Sequence, residues 1–324
     1  MISHTRRALM LAGCSASILF ASAAAAQPWP QRPVRLIVPY PVGGLTDNIS
    51  RTLGDEVARL LGQNVIIENR AGAGGKIGLD LLKQSPADGY TIGLAVTANM
   101  VTLPLTNPNF GIDPARDFEP ITLAVRTHQV LVVSEQLKVR TLKDFVAYAK
   151  QHPDRLSYGT PGAGTSFHFN IVRMEQKLGI RGLHIPYKGE GPVLADLASG
   201  QIQFTLTSNP SSGLIASGKI VPLAVASKSR IAPFPDLPTF AELGVDFASD
   251  GWVGYVAPKG VPEAILDRLN AAFVQAVQSP KVQQTLRTMG YTPDGSSRKE
   301  FAKVIADNTA TYSELLRSGA VKLE

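Results

Sequence analysis

Cysteine occurs once in the 324 residues, at Cys14, and that position falls in a segment that reads as a removable leader. The processed chain is therefore expected to hold neither a disulfide nor a thiol nucleophile, and its stability must come from packing. Beyond residue 26 no run of eighteen uninterrupted apolar residues occurs, so no membrane span is expected there. Lysines and arginines are scattered, with no basic run and no interleaved aromatics. That leaves no footprint for nucleic acid. His128, His152, His168 and His184 show no metal-ligand spacing, and neither a metal nor a cofactor is expected. Ser166 and His168 are the one serine–histidine pair beside a glycine loop, but residues two apart on a helix point in different directions. Gly164-Thr165-Ser166 also fails the G-x-S-x-G elbow, so no catalytic residue is assigned.

What is present starts with that leader. Arg6 and Arg7 form a basic start, residues 8–26 are apolar or small, and Ala24-Ala25-Ala26 precedes Gln27 as a cleavage pattern. This is a secretory signal. Leu11-Ala12-Gly13-Cys14 also fits a lipobox, and Thr5-Arg6-Arg7 fits the start of a twin-arginine signal, so lipid anchoring and the export route stay open. Removing 26 residues from 324 leaves 298, enough for two cores. The two leader arginines take the formal charge from +6 to +4.

Leu36 to Gly62 organises the rest: a short apolar strand, Pro39 and Pro41 as stops, Gly43-Gly44, and then a helix. Ile49, Leu53, Val57, Leu60 and Leu61 recur at helical spacing, Thr46 and Asp47 sit where caps belong, and Gly62 is the stop. The free amides at such a helix start, backed by the helix dipole, suit a carboxylate or another anion. A plain strand-to-helix turn is the alternative. The glycines from Gly72 to Gly75 belong to no phosphate loop, since Arg70 and Ile77 stand where a glycine and a hydroxyl residue are required.

The second half repeats this plan. Leu156 to Gly159 reads as a strand, Thr160 to Ser166 as a glycine and hydroxyl loop, and Phe167, Ile171, Met174 and Leu178 as one helix face ending at Gly179. Ten residues separate Gly62 from Gly72, and ten separate Gly179 from Gly189. The pattern is two α/β units, each with an anion-ready loop. Residues 105–120 read as a surface loop, a second domain as starting nearby, and Trp252 to Val256 as a strand returning to the first.

Five segments together carry a resemblance: W-P-x-R-P-V at Trp29 to Val34, the I-V-P-Y-x-x-G-G-x-x-D stretch from Ile37 to Asp47, E-N-R-x-G-A-G-G from Glu68 to Gly75, the A-D-G-Y-T turn, and the Gly162 to His168 loop. The chain resembles the Bug solute-binding proteins, periplasmic receptors of tripartite tricarboxylate transporters, along essentially its whole processed length. The resemblance implies an α/β, two-domain Venus-flytrap fold of the periplasmic-binding-protein type, with a ligand cleft between domains. Each domain would be a mixed sheet flanked by helices. The expected division is a signal peptide at 1–26, a first domain from 27–125 and 251–324, and a second from 126–250. It further implies a monomer in the periplasm that binds a small organic acid, is no enzyme, and has membrane permease subunits as partner. A sensor feeding a signalling receptor is the alternative.

Carried over residue by residue, the first ligand loop comprises Tyr40, Gly43, Gly44, Thr46 and Asp47, and the opposing loop Gly162, Gly164, Thr165 and His168. Thr97, Asn99, Tyr187, Ser208 and Asn209 are expected as walls. Val42 stands where many members have a second proline. Neither Tyr40 to Asp47 nor Thr160 to His168 contains Lys or Arg, which favours mono- or dicarboxylates over tricarboxylates and leaves amino and heteroaromatic acids open. Asp47 is expected to accept from an N–H donor on such a ligand, the alternative being that it only caps its helix and never meets ligand.

Overall fold

The computed structural model describes residues 29–153, 155–208, 212–249 and 251–323. The leader, with Cys14 and both export readings, lies outside the described residues, and so does Asn209.

The apolar run at the head of the chain becomes β1 (Val34–Val38), in which Val34, Leu36, Ile37 and Val38 are all buried. A strand paired in parallel on both sides is covered on both faces, which explains a continuous apolar run in place of an alternating one. Helix α1 (Leu45–Leu61) buries Ile49, Leu53, Val57 and Leu61, each contributing about 1.5–3 kcal/mol of apolar burial. It ends at Gly62, whose left-handed φ of 72° lets its N–H bond back to the Ala58 carbonyl.

The first sheet adds β2 (Val65–Asn69), β3 (Thr91–Val96), β4 (Phe118–Arg126), β10 (Trp252–Pro258) and β11 (Thr292–Pro293), in the order β11-β4-β10-β3-β1-β2. The second sheet is built from β5 (Gln129–Ser134), β6 (Ser157–Thr160), β7 (Leu183–Pro186), β8 (Phe204–Thr207) and β9 (Ile220–Ala226), in the order β7-β6-β8-β5-β9. Flanking them are α2 (Lys76–Lys83), α3 (Leu142–Gln151), α4 (Ser166–Leu178), α5 (Glu190–Ser199), α6 (Glu263–Gln278), α7 (Pro280–Thr288) and α8 (Arg298–Arg317).

The repeat read from glycine spacing is present in three dimensions. In the first sheet β1 lies between two parallel partners, β2 and β3, and the antiparallel β10 follows. In the second, β6 lies between parallel β7 and β8, and the antiparallel β5 follows. Gly179 ends α4 as Gly62 ends α1, with φ of 62° and its N–H on the Glu175 carbonyl. Each central strand thus delivers its C-terminal end to a glycine loop and a helix start. In such open sheets that is where ligands bind.

Two segments depart from expectation. Residues 105–120 are not one surface loop, because β4 already starts at Phe118, which is buried and pairs with Pro258. A wide π-type turn, Ala98–Thr102, runs into a single helical turn, Leu103–Thr106, directly after β3. Burial of Met100 and Val101 holds that turn in place.

Contacts at several places tie the two sheets together. Thr127 donates its N–H to the Gly251 carbonyl, so the crossing segments run side by side. His128 Nε2 lies 2.7 Å from Thr292 Oγ1. From α8, Tyr312 stacks on Phe169 of α4 with ring centroids 4.4 Å apart and planes 2° from parallel. Phe169 and Val172 consequently join the core beneath α8.

Candidate ligand-binding cleft

Helices α1 and α4 follow the C-terminal ends of the central strands β1 and β6, and like α2, α5 and α6 they start without a side-chain cap bond. Helices α3, α7 and α8 are capped by the side chains of Thr141, Ser279 and Ser297, the last in a full capping box. Helix α1 follows Gly44 and α4 follows Thr165, and neither of these residues makes a side-chain cap bond. The first backbone bond into α1 comes from Asn48 to the Gly44 carbonyl, and into α4 from Phe169 to the Thr165 carbonyl. Among the described residues, the amides of Leu45 and Thr46 in α1, and of Ser166 and Phe167 in α4, therefore donate to no protein group. Those four N–H groups, together with the Asp47 and His168 amides that likewise precede the first helical bond, and two helix dipoles are open to an anion.

Asp47 sets the first loop. Its Oδ2 accepts from the Gly43 amide at 2.9 Å and from Arg51 Nε at 3.0 Å, and its Oδ1 accepts from Asn69 Nδ2 at 3.0 Å. Burial pushes its carboxyl pKa up, but the bonds from Arg51, Gly43 and Asn69 outweigh burial and hold it below the usual carboxylate range. With 1 % of its surface exposed, Asp47 is turned into the domain. That favours a role within the loop over one towards a donor on the ligand, because its carboxylate oxygens already accept from Gly43, Arg51 and Asn69. Thr46 is not the cap; Gly44 occupies that position, and Gly43, Gly44 and Leu45 face outward.

Asn99 and Tyr40 lie at the foot of this loop. Asn99 is fully buried; its Oδ1 accepts from the Val96 amide, while its Nδ2 has no partner among the described residues. Both that Nδ2 and the Tyr40 hydroxyl crowd the Cα of Gly75 so closely that a Cβ there would meet them at 3.1 and 3.5 Å. Burial raises the Tyr40 phenol well above its ordinary pKa, so it remains a proton donor. An unpaired buried amide is costly unless an oxygen from elsewhere meets it.

In the second loop the Gly162 carbonyl is turned inward, accepting from the Thr160 and Thr165 hydroxyls at 3.0 and 2.8 Å. Because a trans peptide points its N–H opposite to its C=O, the Ala163 amide faces away from that network. Gly164, with φ of 71°, packs so tightly that a Cβ would lie 2.9 Å from Thr106 of the first domain. His168 lies beneath the loop, 2 % exposed.

The expected walls divide. Thr97 accepts from the Trp252 amide and ties β3 to β10. The Tyr187 hydroxyl donates to Asp196 Oδ2 at 2.7 Å, and burial together with that bond pushes its pKa up to about 12. Ser208 gives its amide and hydroxyl to Glu190, yet with Leu45 it lines a cavity of about 80 Å³ that spans both domains. Leu45, Ala163, Ser166 and Phe167 are absent from the expected site, and what they bring to these loops is a backbone amide without a protein acceptor. Their only signal is position, in or just after a glycine loop. No group of three or more His, Cys, Asp or Glu fit to hold a metal occurs among the described residues, and none of their helices is long and apolar enough to cross a membrane.

Comparison with known proteins places this geometry. A family model described as the tripartite tricarboxylate transporter family receptor matches residues 49–320. BugT of Bordetella pertussis is 33% identical over 307 residues, covering 94% of each chain. The solved structure of R. palustris Rpa4515 with adipate has a TM-score of 0.74 at 32% identity, over 90% of this chain and 99% of that one. MatC from Rhodopseudomonas palustris with bound malate has a TM-score of 0.68 at 27% identity, over 89% of this chain and 99% of that one.

Proposed function

Because the chain belongs to the tripartite tricarboxylate transporter receptor family, whose members are periplasmic solute-binding receptors and not enzymes, we propose that it captures a small dicarboxylate between its domains and delivers it to a membrane permease. The observation that carries this reading is the pair of uncapped helix starts on α1 and α4. One carboxylate would sit on the amides of Leu45 and Thr46, the other on those of Ala163, Ser166 and Phe167. Asn99 Nδ2 and the Tyr40 hydroxyl are placed to add donors on the first-domain side. Adipate and malate, held by two of the similar structures, are both acids with two carboxylates and no net cation.

Calorimetry of the processed protein against malate, adipate, succinate and citrate tests this. Roughly micromolar affinity for a dicarboxylate is expected, and NMR should show the acid unchanged after prolonged incubation. Binding of citrate alone, or turnover of any acid, would overturn the proposal. For the partner, deletion of the gene should abolish uptake of the acid that binds. Normal uptake in the deletion strain would sever the permease link.

A further inference from the structure

Behind the second loop lies a recess of about 630 Å³. Tyr158 from β6, His184 from β7, His168 and Glu175 from α4, Arg181 from the following turn and Lys322 from the C-terminal segment line it. The two imidazoles are stacked there, with centroids 3.8 Å apart and planes 26° from parallel. Tyr158 stacks on His184 at 5.2 Å.

Each ring reaches the loop from beneath. The Gly164 amide donates to His168 Nδ1 at 3.3 Å, so Nδ1 must be unprotonated and the neutral ring carries its proton on Nε2. His184 Nε2 lies 2.7 Å from Thr160 Oγ1, and the same hydroxyl donates to the Gly162 carbonyl. Nε2–H of His184 is therefore the donor in that contact. Together these bonds fix the peptide planes on either side of Ala163, turning the Gly164 amide inward and the Ala163 amide out.

We propose that His168 is a positioning residue for ligand capture: as a neutral acceptor under Gly164, supported by stacking on His184, it holds the second loop with its free amides aimed into the cleft. This rests on the carboxylate reading above. The His168 side chain, expected from the sequence on the ligand loop, is buried beneath it and acts on the cleft through the Gly164 amide, and a protonated ring has no lone pair left for that amide. The groups facing the pair would then decide how readily it charges. Arg181 and Lys322 oppose a positive charge in the recess, and each imidazole opposes charge on the other. Glu175 favours it only when ionised, and the Gly182 amide already donates to its Oε1.

The test uses three forms of the processed chain: native, His168→Leu, and His168→Asn, whose side-chain oxygen can stand where Nδ1 stood but does not titrate. Calorimetry with adipate at neutral pH should show about tenfold weaker binding for the leucine variant, the loss of one aimed hydrogen bond. The asparagine variant should recover most of that loss. Adipate itself takes up protons in acid, so the quantity to follow is the ratio of native to asparagine affinity between pH 7 and pH 4. That ratio should fall as the native imidazole charges, and a constant ratio would overturn the proposal. Nitrogen NMR of the ligand-free native protein supplies an independent arm. It should find His168 protonated on Nε2 at neutral pH, and the Gly164 amide shift should follow the imidazole titration and lose that dependence in the asparagine variant. An Nδ1–H tautomer would overturn the positioning role whatever the ligand, whereas failure of adipate to bind the native protein would count against the carboxylate reading alone.

Discussion

Asp47 shows how a side chain chosen for its charge serves the loop it stands under. It anchors Gly43 from one side and Asn69 from the other, and Asn69 also donates to the Tyr40 carbonyl. The proposed ligand loop is thus pinned to β2. We expect Asp47→Ala to lower folding stability by about 2–3 kcal/mol, since it strands the Gly43 and Asn69 donors. It should weaken amino and non-amino dicarboxylates by the same factor, because it acts on loop shape. Denaturant melts and calorimetry with aspartate and succinate would check both statements, and a selective loss of aspartate binding would return Asp47 to the ligand. The sign of its pH effect follows from the depressed carboxyl pKa. The stabilisation is present above the unfolded carboxyl pKa and is lost as pH falls through the folded value.

At the scale of loops and helices the sequence was most legible. Periodicity located α1 and α4, and glycine spacing located both ends of each, because a helix face and a left-handed stop are local properties. The destinations of single side chains were not legible. His168 and Asp47 sit in the first turns of their helices, where a residue can face ligand or interior. Only the neighbours His184 and Asn69, 16 and 22 positions away in the chain, decide which. The start of β4 was hidden for a related reason: Pro120 and the charges around it resemble a loop until Phe118 finds Pro258 as its partner. Since the two loops proposed to hold the ligand offer amides and hydroxyls without a cationic side chain, affinity should depend weakly on salt. We expect malate to bind less than threefold more weakly at 0.5 M than at 0.05 M sodium chloride, and a tenfold loss would indicate a lysine or arginine in the grip.

For the whole molecule, buried ionisable groups set the pH of greatest stability. Burial lowers His128, His168 and His184 from 6.5 to about 4, helped by Arg126 at His128 and by the neighbouring ring at His168. The unfolded chain binds more protons than the folded one between those values, so their contribution is complete above 6.5 and is lost as pH falls towards 4. Burial moves Glu175 the other way, from 4.5 to about 8, against the pull of the Gly182 amide and Arg181. Its contribution is complete below 4.5 and is lost as pH rises towards 8. Three rising terms against one falling term put the maximum melting temperature at about pH 6.5. Scanning calorimetry in a buffer series should find it there, and Glu175→Gln should shift the maximum upward.

The place of β10 has a consequence in time. This strand lies between β3 and β4, yet it comes from residues 252–258, after the whole second sheet has been made. The first sheet cannot close while its central member is missing, whereas the second has all five of its strands between Gln129 and Ala226. Assembly should therefore start in the middle of the chain and finish with its two ends, and the cleft comes into being only at the last step. In pulse-labelled hydrogen exchange during refolding, amides of β5 and β8 should become protected before those of β1 and β3.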